Sequence, residues 1–200
     1  MLLNPTAPPP GAVLVTDTST NTSSTASGDD YAGPVDFLQR QYIYAGDHNV
    51  AIAAALPNAF LKGGSGGDAL LAQGGNNVLD GGGGSNFLIG ASGDDGGRDV
   101  FFVDSRGSVE TWSTIVNFHL GDYATIFGFH DGVSTRPATA SDGAAGYAGF
   151  TIHSEIDGRG TGIKGSMTFA GIDQATAAAH FEYTTGTLAG GTDYLLIQYK

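Results

Sequence analysis

The chain of 200 residues contains no cysteine. Disulfide bridges, thiolate nucleophiles, cysteine zinc sites and iron–sulfur clusters are therefore excluded. Basic residues are also scarce, because 8 Lys and Arg stand against 20 Asp and Glu, which leaves a net charge of −12. This balance argues against a surface that binds nucleic-acid phosphates or an anionic membrane leaflet. A cation, or a cationic partner, is the better match.

Long apolar runs are missing as well. The longest run, 50–56, is far shorter than the ~20 residues of a membrane helix, so no transmembrane segment is expected. No basic residue precedes Arg40, so a Sec signal peptide is not expected either. Residues 1–33 are rich in Pro, Ser and Thr, and we predict a disordered tail because this composition buries too little apolar area. The alternative is that residues 12–15 dock as a strand on a neighbouring subunit.

Glycine is abundant, with 33 of 200 residues. Its usual share is about 7%. No G-X-Y period accompanies it, which excludes collagen. Glycine loses the most backbone entropy on folding. A fold this rich in glycine and free of disulfides therefore needs another source of stability.

The middle of the chain repeats every nine residues. Blocks read from Gly63 are GGSGGDALL, AQGGNNVLD, GGGGSNFLI and GASGDDGGR. They approach G-G-x-G-x-D-x-U-x, where U is a large apolar residue, the template of calcium-binding parallel β-helix repeats. Only the first block fits at every defined position, and Asn replaces Asp in the second and third. The predicted turn and ligand positions are Gly63, Gly64, Gly66, Asp68, Gly75, Asn77, Gly81, Gly82, Gly84, Asn86, Gly93, Asp95 and Asp99.

The apolar position of the repeat extends upstream of the glycines. It is filled at nine-residue intervals by Ile43, Ile52, Leu61, Leu70, Leu79 and Leu88. We interpret residues 34–62 as metal-free lead-in coils and 63–98 as the glycine repeats. The alternative is an ordinary strand and loop that share the phase by accident.

Two nine-residue turns make one coil, so equivalent turns stack 18 residues apart. This spacing pairs Asp68 with Asn86 on one edge and Asn77 with Asp95 on the other, although the interruption at 96–98 leaves Asp99 as an alternative to Asp95. Stacked turns offer carbonyl, carboxylate and amide oxygens, which Ca²⁺ prefers, and few carboxylates predict weak binding of roughly 10⁻⁴–10⁻³ M. The alternative is a metal-free ladder of Asn and Gly turns.

Residues 63–98 resemble the RTX, or hemolysin-type, calcium-binding repeats of bacterial type I secretion targets. Residues 99–104 are similar to the D-x-F-x-F strand that closes such repeats, and 113–122 to the family's D-x-I-x-D-F-x-x-G-D segment. The resemblance covers roughly residues 60–130. It implies a short right-handed parallel β-roll, folding on Ca²⁺ outside the cell, export by the type I secretion machinery, and a secretion signal in residues 192–200.

Residues 99–200 are predicted to form an all-β cap on the end of the β-roll. Strands at 150–153 and 166–169 flank a hairpin, and Asp173 caps one short helix that runs to His180. Together these elements predict a β-sandwich-like region that covers the last coil. Trp112 and the other aromatic residues of this region are expected to form its core, with a carbohydrate platform as the alternative.

Nothing in the sequence indicates an enzyme. Ser65 fits G-x-S-x-G but lies inside a glycine repeat, and 160–165 fits G-x-G-x-x-G but precedes a strand pattern. The histidines lack metal-ligand spacing. His119 and Asp122 could be arranged into a site, but we expect them to be polar residues on the surface.

Two functions remain open. The first is a non-catalytic secreted module that folds on Ca²⁺ and acts at the cell surface or in the matrix, by self-assembly or adhesion. The second is the C-terminal calcium-binding and secretion module of a larger secreted hydrolase.

Overall fold

The structure is a computed structural model that describes residues 13–15, 40–44, 46–93, 97–130, 142–155 and 163–200. Within these ranges the chain is almost entirely β-structure, with two seven-stranded sheets and one short helix. In spatial order the first sheet contains β1 (Val13–Val15), β3 (Val50–Ala54), β5 (Ala69–Ala72), β7 (Gly84–Ile89), β9 (Thr111–Val116), β12 (Ile163–Ala170) and β11 (Gly149–Glu155). The second contains β13 (Phe181–Thr187), β14 (Asp193–Tyr199), β10 (Tyr123–Phe127), β8 (Val100–Asp104), β6 (Val78–Asp80), β4 (Ala59–Lys62) and β2 (Arg40–Ile43).

Strands β2 to β10 alternate between the two sheets, and neighbours within each sheet run parallel. Leu70 pairs with Ile52 on one side and Leu88 on the other, so one coil is 18 residues long. These three side chains are fully buried between the sheets because their strands place every second residue on the inner face. The predicted all-β parallel β-roll is confirmed.

The apolar repeat continues through Leu61 and Leu79, which are also fully buried. At Ile43 the sequence prediction is wrong by one residue. Tyr42 pairs with Leu61 and is 3% exposed, whereas Ile43 pairs with Lys62. The turn between β2 and β3 holds one residue more than the repeat, which shifts the register of the first coil.

Strand β1 lies inside the segment 1–33 that composition predicts to be disordered. Residues 13–15 pair in parallel with β3, with Val13 opposite Val50 and Val15 opposite Ile52. These residues therefore form a strand, as the docking alternative expects, but they extend the first sheet of their own chain. The remaining residues of the predicted tail lie outside the described ranges.

The C-terminal cap continues the two sheets of the roll. Strand β12 joins the first sheet in parallel with β9 and then pairs antiparallel with β11. In the second sheet β14 lies between β10 and β13 and is antiparallel to both. The helix α1 (Gln174–His180) begins after Asp173, whose side chain accepts a hydrogen bond from the Thr176 N–H at 2.7 Å. The predicted hairpin and helix are thus confirmed.

The aromatic core sits where the roll meets the cap. Phe118 contacts Phe169, Phe181 and Tyr199 with ring centroids 4.7 to 5.9 Å apart, so it joins both sheets. The expectation of an aromatic core is confirmed for these residues but is wrong for Trp112, which is partly exposed on the outer face of the first sheet. Among the described residues, no helix is long and apolar enough to cross a membrane.

Candidate metal site

The glycine turns of successive coils stack in close contact. A Cβ on Gly82 would lie 2.0 Å from the Gly64 carbonyl oxygen, and one on Gly64 would lie 1.9 Å from that of Gly46. Gly82 and Gly84 also have positive φ angles, of 72° and 80°. Larger residues therefore cannot occupy these positions without moving the backbone. The repeat has glycine here because neighbouring coils leave no room for a side chain.

Most of the remaining glycines of the predicted turns are packed in the same way, and Gly93 is the exception. A Cβ on Gly63 would meet the Asp68 carboxylate at 2.2 Å, and one on Gly81 would meet the Asn86 amide at 2.6 Å. A Cβ on Gly66 would meet the His48 carbonyl oxygen at 2.6 Å. Gly75 contacts Gly97 of the next coil closely, and Gly93 has a positive φ of 94° with open space around it.

Asp68 is the central carboxylate of the first edge. Its side chain is fully buried, and its two oxygens accept the Val50 N–H at 2.9 Å and the Gly64 N–H at 2.7 Å. Burial raises the pKa of this carboxyl, and the two backbone hydrogen bonds oppose the rise. No Lys, Arg or His among the described residues forms an ion pair with it.

Asn86 continues the same edge in the next coil. Its side-chain oxygen accepts the Asp68 N–H at 2.9 Å, and its amide donates to the Gly83 carbonyl oxygen at 3.1 Å. The predicted pairing of Asp68 with Asn86 is therefore present in the structure. In this pairing the Asn86 side chain accepts a hydrogen bond from the backbone N–H of Asp68, the equivalent residue one coil earlier.

The opposite edge follows the same rule but changes its spacing. Asn77 accepts the Ala59 N–H at 2.9 Å, and Asp99 accepts the Asn77 N–H at 2.9 Å. Asp99 thus takes the position next to Asn77 across 22 residues, in place of the expected 18, because four residues are inserted. Asp95, the first candidate for this position, lies outside the described residues.

Asp122 is the next step of this edge. It accepts the Asp99 N–H at 2.9 Å and the His119 N–H at 3.0 Å, while the His119 Nδ1 lies 2.8 Å from its carboxylate. Burial raises the pKa of Asp122 to about 7, the two backbone N–H groups lower it, and the nearby Asp99 raises it further. The expectation that His119 and Asp122 are surface polar residues is wrong for Asp122, which is fully buried. Its position as the last residue of a Phe-x-x-Gly-Asp segment is the sequence signal for this role.

Both edges also use residues outside the repeat. The Asn49 side chain accepts the Gly67 N–H at 2.7 Å across 18 residues. The ladder of hydrogen bonds between side chains and backbone N–H groups of adjacent coils therefore begins in the lead-in coils. The nine-residue template does not mark Asn49, because the turn before it lacks the glycines.

A hard cation has a limited but usable set of oxygen donors at the first edge. No three His, Cys, Asp or Glu side chains come together among the described residues, so fewer than three such side chains are available to an ion at this edge. The Gly64 carbonyl oxygen already accepts the Gly83 N–H at 2.8 Å. Each carboxylate oxygen has two lone pairs and Asp68 uses one on each, so the carboxylate retains acceptor capacity. At this edge the described residues therefore offer a hard cation the unused acceptor capacity of the Asp68 carboxylate and the carbonyl oxygens of the glycine turns.

The positions with enzyme-like patterns do not form an exposed catalytic centre in the described part of the chain. Ser65 is exposed on a glycine turn, and its N–H donates to the Gly46 carbonyl oxygen at 3.0 Å. The G-x-G-x-x-G segment is described from residue 163 onward, where it is strand β12.

A Ser–His–Asp chain does occur across strands β11 and β12. The His153 Nδ1 lies 2.7 Å from the Ser166 Oγ, and its Nε2 lies 3.8 Å from the Asp142 carboxylate. Ser166 is fully buried, so its hydroxyl does not meet solvent or a substrate. We interpret these three residues as a cross-strand polar contact that holds the hairpin.

Comparison with protein-family models, with curated proteins and with solved structures finds no match for this chain.

Proposed function

We propose that this protein is a non-catalytic, secreted calcium-binding β-roll module of the RTX type, which folds on extracellular Ca²⁺ and serves a structural or adhesive role at the cell surface or in the matrix. The observation that carries the proposal is Asp68, a fully buried carboxylate in a stacked glycine turn, with which no cationic side chain in the described part of the chain forms an ion pair. An ionised carboxylate without a counter-charge is costly to bury. A cation at this turn supplies the missing charge.

Asp68, Asn86 and the carbonyl oxygens of the glycine turns would hold the ion on the first edge. Asn77 and Asp99 would do so on the other. When bound, Ca²⁺ supplies positive charge and oxygen coordination that link adjacent coils. The ladder of N–H donors orients the side chains, since each carboxylate or amide is fixed by the coil before it.

The role in secretion follows from linkage between binding and folding. An ion that binds only the folded roll stabilises it by RT ln(1 + [L]/Kd), so folding responds to calcium concentration. With a Kd of roughly 10⁻⁴–10⁻³ M, the gain is small inside a cell and larger in millimolar calcium outside. A chain that remains unfolded inside is suited to passage through the type I secretion machinery.

The test is a calcium titration of EDTA-treated protein followed by far-UV circular dichroism. We expect a gain of β-structure near millimolar calcium. Asp68→Ala should raise the calcium midpoint several-fold, whereas Asp47→Ala, which removes an exposed carboxylate outside the ladder, should leave it unchanged. A protein that is fully folded in EDTA and indifferent to calcium would contradict the proposal and favour the metal-free ladder.

A further inference from the structure

A groove of about 230 Å³ lies on the outer face of the first sheet. Ser85 and Trp112 are paired across β7 and β9, as are Phe87 and Thr114. All four lie on the face opposite Leu88, which is in the core, because side chains alternate along a strand. The described residues that line it are Ser85, Asn86, Phe87, Trp112, Thr114, Gly143 and Ala144.

The indole of Trp112 is held in place before any ligand arrives. Its Nε1 donates to the Thr168 Oγ1 at 2.9 Å, and that hydroxyl lies 2.8 Å from the Thr151 Oγ1. The ring also packs edge-on against His153, with centroids 5.5 Å apart. A partly exposed aromatic ring with its polar group satisfied from within presents its apolar face at little entropic cost.

The opposite wall is a short turn that is fixed to the sheet. Tyr147 packs edge-on against Phe87 with centroids 5.1 Å apart, and its N–H donates to the Ala144 carbonyl oxygen at 2.8 Å. Gly143 has a φ of 116°, and a Cβ there would lie 3.0 Å from the Thr168 Cγ2. The groove is therefore formed by fixed backbone and rings.

The chemistry of the lining selects one class of ligand. None of the described residues that line it is ionisable, although the chain carries a net charge of −12. Aromatic rings line the groove, and Ser85 and Thr114 contribute hydroxyl groups, whereas the buried Asn86 amide is bonded within the glycine turns. A pyranose has the matching surfaces, since its C–H face is apolar and its edges carry hydroxyl groups.

We propose that this groove binds one sugar unit of a neutral carbohydrate chain, with its ring stacked on Trp112. The inference deepens the proposed adhesive role, on which it rests for its biological setting, by naming a neutral polysaccharide as the surface or matrix partner. Asn86 borders both the calcium turn and the groove, whereas Asp68 belongs only to the turn and Trp112 only to the groove, so variants of these two residues test each proposal separately.

The chain offers a direct probe, because Trp112 is its single tryptophan. The experiment is a fluorescence titration with cellohexaose, chitohexaose and maltohexaose, with the acidic oligogalacturonate as the charged comparison. We expect at least one neutral hexasaccharide to shift or quench the Trp112 emission saturably, and oligogalacturonate to leave it unchanged. An unchanged emission with all three neutral sugars at millimolar concentration would overturn the inference.

Variants assign the binding to the groove. Ser85→Ala should weaken the affinity by about twofold to tenfold through the loss of one hydrogen bond. Trp112→Ala should abolish binding in calorimetry, and Trp112→Phe, which keeps an aromatic face, should retain part of it. Tyr183→Ala removes an exposed aromatic residue on β13 and should change nothing. Equal losses in Tyr183→Ala and Trp112→Ala would contradict the assignment.

Circular dichroism in the same samples separates the two proposals. Calcium-dependent folding without sugar binding removes only this inference. Sugar binding by a protein that folds without calcium removes the calcium proposal and retains the groove.

Discussion

The backbone N–H of Asp68 donates to the side-chain oxygen of Asn86 at 2.9 Å across 18 residues of sequence. Both residues are buried, so neither group has water as an alternative partner. The contact links two coils just before the pairing of β5 with β7 begins at Ala69 and Phe87. Side chains thus extend the hydrogen-bonding of the β-roll around its edge.

Asn86→Ala removes the acceptor of this bond and leaves the Asp68 N–H buried without a partner. We expect the free energy of unfolding to fall by about 1–3 kcal/mol, because an unsatisfied buried donor loses its solvation without compensation. Urea unfolding in saturating calcium measures the change. Gln73→Ala, an exposed position in another turn, is the control, and equal stability of the two variants would show that the ladder contributes little.

Glycine substitutions separate close approach from backbone strain. Gly64→Ala places a methyl group 1.9 Å from the Gly46 carbonyl oxygen. Gly82→Ala places one 2.0 Å from the Gly64 carbonyl oxygen, at a position that also has a positive φ. We expect each to destabilise the fold by more than about 3 kcal/mol, since the next coil must move. Gly190→Ala has nothing within 4 Å and should be nearly neutral. Thermal unfolding measures the effect, and equal transition temperatures for Gly64→Ala and Gly190→Ala would contradict this account.

Asp122 predicts the direction of the pH dependence. Its folded-state pKa of about 7 lies above the ordinary 3.8, so the folded protein holds a proton that the unfolded chain releases. The stabilisation from this group is complete below pH 3.8 and is lost as pH rises towards 7. The loss amounts to a few kcal/mol, since one pKa unit corresponds to about 1.4 kcal/mol.

Asp122→Asn cannot ionise, so we expect it to flatten the fall in unfolding free energy between about pH 4 and 7. Urea unfolding across this range measures the slope. Asp47→Asn changes a side chain that is 83% exposed and should keep the slope of the parent protein. A slope that survives in Asp122→Asn would assign the pH dependence to other groups.

The last strand is expected to be essential for stability. Ile197 on β14 is fully buried and pairs with Ala124 and Tyr183 on its two neighbours. Ile197→Ala should cost about 2–5 kcal/mol, the usual range for such truncations in a core. Differential scanning calorimetry provides the measurement, with the exposed Thr184→Ala as control. A transition temperature equal to that of the control would show that β14 is dispensable.

The roll could be predicted because its physical cause is periodic. Leu61, Leu70 and Leu79 repeat at the interval that the coil length imposes, and each is buried as expected. The prediction failed where a turn changes length. One extra residue shifts Ile43 out of the core register, and a four-residue insertion brings Asp99 next to Asn77.

The candidate site was predicted in composition but not in detail. Asp68 and Asn86 stack as the 18-residue spacing requires, whereas their oxygens accept backbone N–H groups, a contact that spacing does not reveal. The expectation that Trp112 lies in the core is wrong because it occupies the face of β9 opposite the buried Ile115. Its hydrogen-bond partner Thr168 is 56 residues away, and no local pattern indicates that contact.

The placement of β14 between β10 and β13 has a consequence for the order of folding. Strand β13 is synthesised before β14, yet it reaches the sheet only through β14. The second sheet therefore cannot be completed from the residues that precede β14, wherever folding takes place. Without residues 193–199, β10 would keep one open edge and β13 would have no strand to pair with.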